Sequence, residues 1–397
     1  MTDEGLSVRL HPFRTDGLEE AFFLERPNRF LVRCKRKDAR ILEAFLPNPG
    51  RLQEMLLPAA KLYIQAAEAH APPQPTLRKT SYTVLAAERL GRPVMLHTHL
   101  ANAVARLLLQ HHLIPGLEDA EIIREEVPLR NSRIDFLLRE GGEEVFLEVK
   151  SCTLFGNGVA MFPDAVTSRG KRHLEELAAL SRKGNLSTVL FLVSDPDLQW
   201  FMPDYHTDLA FAQTLVALRD RLRVIPAALR WQEDLSLDSE VRLLDIPWGF
   251  VAEEAKDRGS YLLLLKLDRK RRIEIGSLGP LLFPQGHYLY VGSARKNLTP
   301  RVDHHRRLAK RPHWHIDYLR PSASSFQALP IRASVPLECD IAKAASRLFE
   351  AAHTGFGSSD CGCETHLFFS RENPLYLQGF HDFLQSFRMR HPSLAHR

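Results

Sequence analysis

Apolar and basic residues alternate through AFFLERPNRFLVRCKRKDARILEAFL, residues 21–46. Phe30, Val32 and Cys34 fall on one side of an extended chain. Arg29, Leu31, Arg33 and Lys35 fall on the other, which predicts strands with a basic outer face. PNPGR (47–51) reads as a turn, KLYIQAA (61–67) as a further strand and APPQPT (71–76) as a linker. Several short strands in one stretch predict a small barrel or a strongly bent sheet over residues 1–81.

From residue 82 to 231 the period changes. HTHLANAVARLLLQHHL predicts a helix with Leu100, Val104, Leu107 and Leu108 in one stripe. A strand follows near 121–129, then the hairpin RIDFLLREGGEEVFLEVK (133–150), turning at Gly141-Gly142. A helix is expected to start near Thr167 and Ser168. STVLFLVS (187–194) reads as a buried strand, TDLAFAQTLVALRDR as a helix and RVIPAAL (223–229) as a last strand. Mixed helices and strands define an α/β core. The polar, acidic stretch 232–247 reads as a linker. Beyond it, 248–397 alternates through GSYLLLLKLDRKRRIEIGSL as another hairpin, with the strand GHYLYVGSA, a basic aromatic run to Arg320 and a helix near 338–352.

Composition narrows the class. The 397 residues carry a net charge of +5, with 44% hydrophobic and 25% charged positions. That profile is globular, and mildly basic in a way that permits a polyanionic partner. Five cysteines make no disulfide framework. The opening TDEGLSVRLH has neither a basic n-region nor an apolar h-region, and no apolar run approaches bilayer length. The expectation is a cytoplasmic protein with no membrane partner.

The hairpin carries the first candidate chemistry. With Gly141-Gly142 as its turn, Asp135 lies across from Glu148, and Lys150 shares their face. Ile134, Phe136 and Leu138 form an apolar reverse face with Val145, Leu147 and Val149. Opposed carboxylates repel unless a cation sits between them. Mg²⁺ or Mn²⁺ bound to Asp135 and Glu148, with Lys150 beside the acids, would suit phosphodiester hydrolysis in the D–x(n)–E–x–K pattern of PD-(D/E)xK nucleases. A solvated charged face is the alternative. Glu126 is an added metal ligand or a surface acid. Arg169, Lys171 and Arg172 in the first helical turn either contact phosphate or are solvated.

These segments carry a resemblance. RPNRF (26–30), PNPGR (47–51), RKT (78–80), SRIDF (132–136), LEVKSCTL (147–154) and FPDAVTSRGKRHLEEL (162–177), in order over residues 10–230, resemble the SfsA, or sugar fermentation stimulation protein, family. The resemblance implies an N-terminal OB-like barrel and a PD-(D/E)xK nuclease-like α/β domain, with the family's acids and lysine on Asp135, Glu148 and Lys150. It also implies a rival reading, a DNA-binding regulatory protein without turnover. Nucleic acid, DNA or RNA, is then the expected partner of Arg26, Arg29, Arg33, Lys35 and Arg51, with Phe22, Phe23 or Phe30 for stacking. A homodimer is compatible with this class.

The C-terminal segment resembles an uncharacterised GIY-YIG-like domain found in archaea and bacteria, an α+β fold. Tyr290-Val291-Gly292 matches the YIG half, and Gly259-Ser260-Tyr261 is a degraded GIY. Arg301 matches the family's helix arginine, and His305 follows one turn later on the same face. Glu338 is the candidate metal-binding Glu. Ser293 stands where many members carry Lys, so catalysis, binding alone and a structural role all stay open. His313, His315 and Asp317 alternate on a strand-like stretch, and with Cys361, Cys363 and His366 offer zinc as a minor alternative to a core role.

Overall fold

The computed structural model describes residues 9–66, 80–129, 133–181 and 187–390. The expected linker at 71–76, and Arg78, Lys79 and Ser132 of the family-like motifs, lie outside them. The chain divides into two compact units: residues 1–204 with 210–247, and residues 205–209 with 248–397.

Strands β1 (Leu18–Asn28), β2 (Leu31–Arg36), β3 (Ile41–Phe45), β4 (Lys61–Ala66), β5 (Tyr82–Arg89) and β6 (Arg92–Met95) form a sheet in the order β3-β2-β1-β4-β5-β6. Parallel pairing of Ala44 with Tyr82 and Phe45 with Thr83 closes β1 to β5 into an OB-like barrel. Val32 and Cys34 point inward and Arg33 and Lys35 outward, as the alternation requires. The barrel runs past the boundary expected at residue 81, because its closing strand β5 pairs back with β3 and β4 as well as with β6.

The nuclease-like α/β domain follows. Its elements are α1 (Ala101–Gln110), β7 (Glu121–Pro128), β8 (Arg133–Glu140), β9 (Glu143–Cys152), α2 (Ser168–Leu180), β10 (Ser187–Val193), α3 (Leu209–Ala217), β11 (Arg223–Ala228) and β12 (Arg242–Leu243). The sheet order is β12-β11-β10-β9-β8-β7. The strands β7, β8 and β9 are antiparallel; β9, β10 and β11 are parallel. Every residue of β10 is buried, as expected of a central parallel strand covered on both sides. Phe136, Leu138, Leu147 and Val149 pack with Val104 and Leu108 of α1 on one face. On the other face α2 lies against β10. The stretch 232–247 is not a free linker. Leu237–Asp238 pairs with Arg9–Leu10, and β12 extends the sheet beside β11.

The second unit is an α+β domain. It contains α4 (Trp248–Glu254), β13 (Gly259–Leu267), β14 (Gly286–Ala294), α5 (Leu298–Arg306), α6 (His315–Leu319), β15 (Ser325–Arg332), α7 (Glu338–Ala345), β16 (Leu367–Ser370) and α8 (Gln378–Arg388). Strands order as β15-β13-β14-β16, all antiparallel. One face packs under α7 and α8, the other under α5 and α6. The hairpin expected over 259–278 does not form: Arg271–Glu274 pairs instead with Pro280–Phe283. The strand-like reading of HWHIDYL gives way to α6, whose first turn is fixed when the Asp317 carboxylate accepts the backbone N–H groups of His313 and Trp314 at 3.0 and 3.1 Å. Among the described residues no helix is long and apolar enough to cross a membrane.

Candidate active sites

The hairpin has the register predicted from its Gly-Gly turn, and both glycines adopt positive φ. Pairing stops, however, at Phe136↔Leu147, one step before the two acids. There Asp135 turns its carboxylate onto the continuing strand: Oδ2 accepts the Val149 N–H at 2.7 Å, and Oδ1 accepts from Asn102 Nδ2 of α1 at 2.8 Å. Glu148 instead takes its place in the parallel ladder with β10.

The alternative of a solvated charged face fails at Glu148. Glu148 is only 3% exposed. Its Oε1 accepts from His173 Nδ1 at 2.6 Å and pairs with the Lys150 ammonium. Its Oε2 is buried with no hydrogen-bond partner. Arg169 Nε donates to His173 Nε2 at 3.2 Å, so the imidazole proton belongs on Nδ1, facing Glu148. Burial, and then the charge of Glu148, pushes the Asp135 carboxyl above its ordinary range. Burial pushes Glu148 the same way, but His173 and Lys150 outweigh it and hold that carboxyl below its usual value. Two enclosed acids, one with a bare oxygen, form an all-oxygen donor set that fits a hard divalent ion. Glu126 sits at the rim: it adopts positive φ, lies 3.5 Å from Asn102 and pairs with Arg133 at 2.8 Å.

The candidate nucleic-acid residues divide. Arg29, Arg33, Lys35, Arg51 and Arg169 are exposed, with Arg33 paired to Glu25. Lys171 and Arg172 make i,i+4 pairs with Glu175 and Glu176, so of this trio only Arg169 reaches the acidic pair's hydrogen-bond network. Arg26 does not present its guanidinium outward. It donates to the carbonyls of Arg51, Arg29 and Asn48 at 2.6, 2.7 and 3.0 Å, stapling the PNPGR loop to the barrel. Of the stacking candidates, Phe23 is in the barrel core and Phe22 half-buried. Phe30 is exposed, its ring 6.4 Å from Phe45, and both line a groove of about 500 Å³ with Leu31, Glu43 and His99.

In the second unit, Tyr261 Oη and His305 Nε2 lie 2.8 Å apart, and His305 Nδ1 is 2.9 Å from Asp317 Oδ1. Burial holds His305 below its ordinary pKa, which favours a neutral ring donating to Asp317 and accepting from the tyrosine. Tyr290 is buried in the same layer, its ring centroid 6.5 Å from that of His305. Arg301 stacks on Trp314 at 4.1 Å and donates to the Ser293 carbonyl at 3.4 Å. Glu338 accepts from the Ser293 hydroxyl. Of the zinc candidates, Cys361, Cys363 and His366 come together, joined by Cys339, whereas His313, His315 and Asp317 are not part of that group. Asp317 is taken by His305, Lys310 and the α6 cap, and His315 Nδ1 accepts from Gly357 N–H. The sequence does not point to Asn102 or His173, and it singles out Tyr261 only as the tyrosine of the degraded GIY and Asp317 only as a zinc candidate. The HLEEL motif offered His173 its one signal, as a polar residue on an otherwise apolar helix stripe.

The fold and the acidic pair define an OB barrel joined to a nuclease-like domain. Residues 24–96 match the SfsA N-terminal OB domain and residues 99–234 the sugar fermentation stimulation protein RE domain. The chain is 39% identical over 201 residues to a sugar fermentation stimulation protein homolog of Methanosphaera stadtmanae, covering 50% of this chain and 82% of that one. It is 38% identical to a homolog from Moorella thermoacetica, covering 84% of it. The solved Pyrococcus furiosus SfsA, in complex with Ca²⁺, superposes with a TM-score of 0.53 at 28% identity, covering 60% of this chain and 99% of that one. The chain belongs to the SfsA family. Residues 260–389 match a domain of unknown function, DUF123, which is GIY-YIG-like.

Proposed function

We propose that the first unit is a divalent-metal-dependent nuclease acting on DNA or RNA. One observation carries this: Glu148 Oε2 is buried and unpartnered beside Asp135, while Lys150 engages the other oxygen of the same carboxylate. The Ca²⁺ bound by the Pyrococcus relative supports a cation-binding family fold. Mg²⁺ or Mn²⁺ held by Asp135 and Glu148 would polarise a phosphate and ease deprotonation of the attacking water. Around it, Asn102 and the Val149 N–H fix Asp135, and His173 fixes Glu148. Lys150 supplies positive charge where the phosphate becomes more negative in the transition state. The exposed Arg29, Arg33, Lys35 and Arg51, with the Phe30–Phe45 groove, give the barrel the features of a single-strand platform.

The test uses purified protein, labelled single- and double-stranded DNA and RNA, and Mg²⁺ or Mn²⁺. Cleavage should fall to background in Asp135→Asn and by about 10²–10³-fold in Lys150→Ala, with binding retained. Binding by wild type without cleavage of any substrate would overturn the enzyme and favour a regulatory binder. Cleavage that survives Asp135→Asn but disappears with Tyr261→Phe or Arg301→Ala would move the chemistry to the GIY-YIG-like unit.

A further inference from the structure

Three cysteines and a histidine converge in the second unit. Cys339 lies in the first turn of α7, Cys361 and Cys363 in the loop between Ala351 and β16, and His366 just before β16. One ligand atom from each lies within 4.8 Å of all the others. We propose that Cys339, Cys361, Cys363 and His366 form a structural zinc site, closed by four protein ligands.

Geometry and chemistry agree on the ion. Tetrahedral Zn²⁺ with Zn–S and Zn–N bonds of normal length separates a sulfur from a nitrogen ligand by about 3.5 Å. His366 Nε2 and Cys361 Sγ are 3.5 Å apart. Three thiolates and an imidazole are soft and borderline donors, suited to Zn²⁺ and unsuited to Mg²⁺. A disulfide would use two of the sulfurs and leave the histidine unexplained. A two-iron cluster would need its donors in two separated pairs, whereas these four atoms form a single knot.

The surroundings support a metal-bound imidazole. His366 is 1% exposed, with Nε2 toward the sulfurs and Nδ1 facing Glu338 Oε1 at 3.3 Å. A carboxylate behind a ligating histidine orients the ring and raises its basicity. Glu338 reaches the Ser293 hydroxyl with its other oxygen, so the site also ties α7 to the end of β14. The loop it anchors has little regular secondary structure and contains Gly355 and Gly357 at positive φ. The sequence offered Cys361, Cys363 and His366 but not the fourth ligand, because Cys339 lies far upstream of CGCETH and only the fold brings it back.

The full chain, purified under a non-coordinating reductant without chelator, should contain one zinc per chain by elemental analysis. Its three cluster thiols should react slowly with a thiol reagent until a strong chelator is added. Co²⁺ loaded into the stripped protein should give the absorption of a tetrahedral thiolate site. Cys339→Ser and Cys361→Ser should each weaken zinc binding at least tenfold, whereas Cys339→His should keep one zinc with an altered cobalt spectrum. Asp135→Asn should leave zinc content unchanged, separating this site from the nuclease proposal. Iron with acid-labile sulfide, a disulfide among the three cysteines, or thiols equally reactive with and without chelator would each overturn it.

Discussion

Asp164 shows how one enclosed carboxylate can set a pH response. The backbone of Gly50 comes so close that an added Cβ would lie 2.3 Å from Asp164 Oδ2, and the Leu52 N–H points at the same oxygen from 3.4 Å. Burial and then the charge of Glu54 push this carboxyl up to about 6. A raised acid in the folded state retains its proton after the unfolded chain has lost it. Stability is therefore undiminished below the ordinary value of 3.8, falls as pH rises, and carries the full penalty above about 6. Asp164→Asn keeps an acceptor for Leu52 and removes the charge. It should stabilise the first unit by roughly 1–3 kcal/mol at pH 7 and by almost nothing near pH 3, read from urea unfolding at a series of pH values. A gain of equal size at every pH would refute the assignment. The sequence displays Asp164 only as one acid in a motif; its neighbours Gly50 and Glu54 come from another domain, so local pattern could not reveal its state.

At the scale of elements, what the sequence made legible was whatever depends on parity. The Gly141-Gly142 turn and the apolar reverse face fix the hairpin's register, and hence the proximity of Asp135, Glu148 and Lys150. Helix α2 begins where expected because Thr167 accepts the Gly170 N–H at 2.9 Å. What depends on distant pairing stayed hidden: the barrel's closing strand, the covered acidic face and the Tyr261–His305–Asp317 chain. Gly292 illustrates the latter. An added Cβ would stand 2.5 Å from Tyr261 Oη, so the glycine of the YVG motif makes room for the ring that reaches His305. Gly292→Ala should overpack this layer, cost about 1–3 kcal/mol and lower the melting temperature of the second unit. Gly249→Ala is the matched control: its added methyl meets nothing within 4 Å and lies in α4, where alanine is the better helix former. Equal melting of the two variants would mean that Gly292 serves no steric purpose.

For the whole molecule, the order of residues along the chain and the division into units do not coincide. Tyr205–Leu209 lies within the sequence of the first unit yet belongs to the second. His206 is its anchor, 1% exposed, with Nδ1 accepting the Arg332 N–H at 2.9 Å and Nε2 set 2.7 Å from the Arg388 carbonyl. Those two bonds require a neutral ring carrying its proton on Nε2. Burial, followed by the charge of Arg388, holds the pKa of His206 well below 6.5. A histidine depressed in the folded state contributes stability that is present above its unfolded value and is lost as pH falls below about 6.5. His206→Ala leaves a buried N–H and a buried carbonyl without these partners, which costs on the order of 2–5 kcal/mol. The second unit should then unfold at lower denaturant concentration, with a shallower loss of stability between pH 7 and pH 5, while the metal affinity proposed for the Asp135–Glu148 site is unchanged. Hydrogen exchange resolved by segment would separate the units: deprotection confined to β13, β15 and α8 supports a local plug. Equal deprotection of β8 and β9 would show that the histidine supports the entire chain.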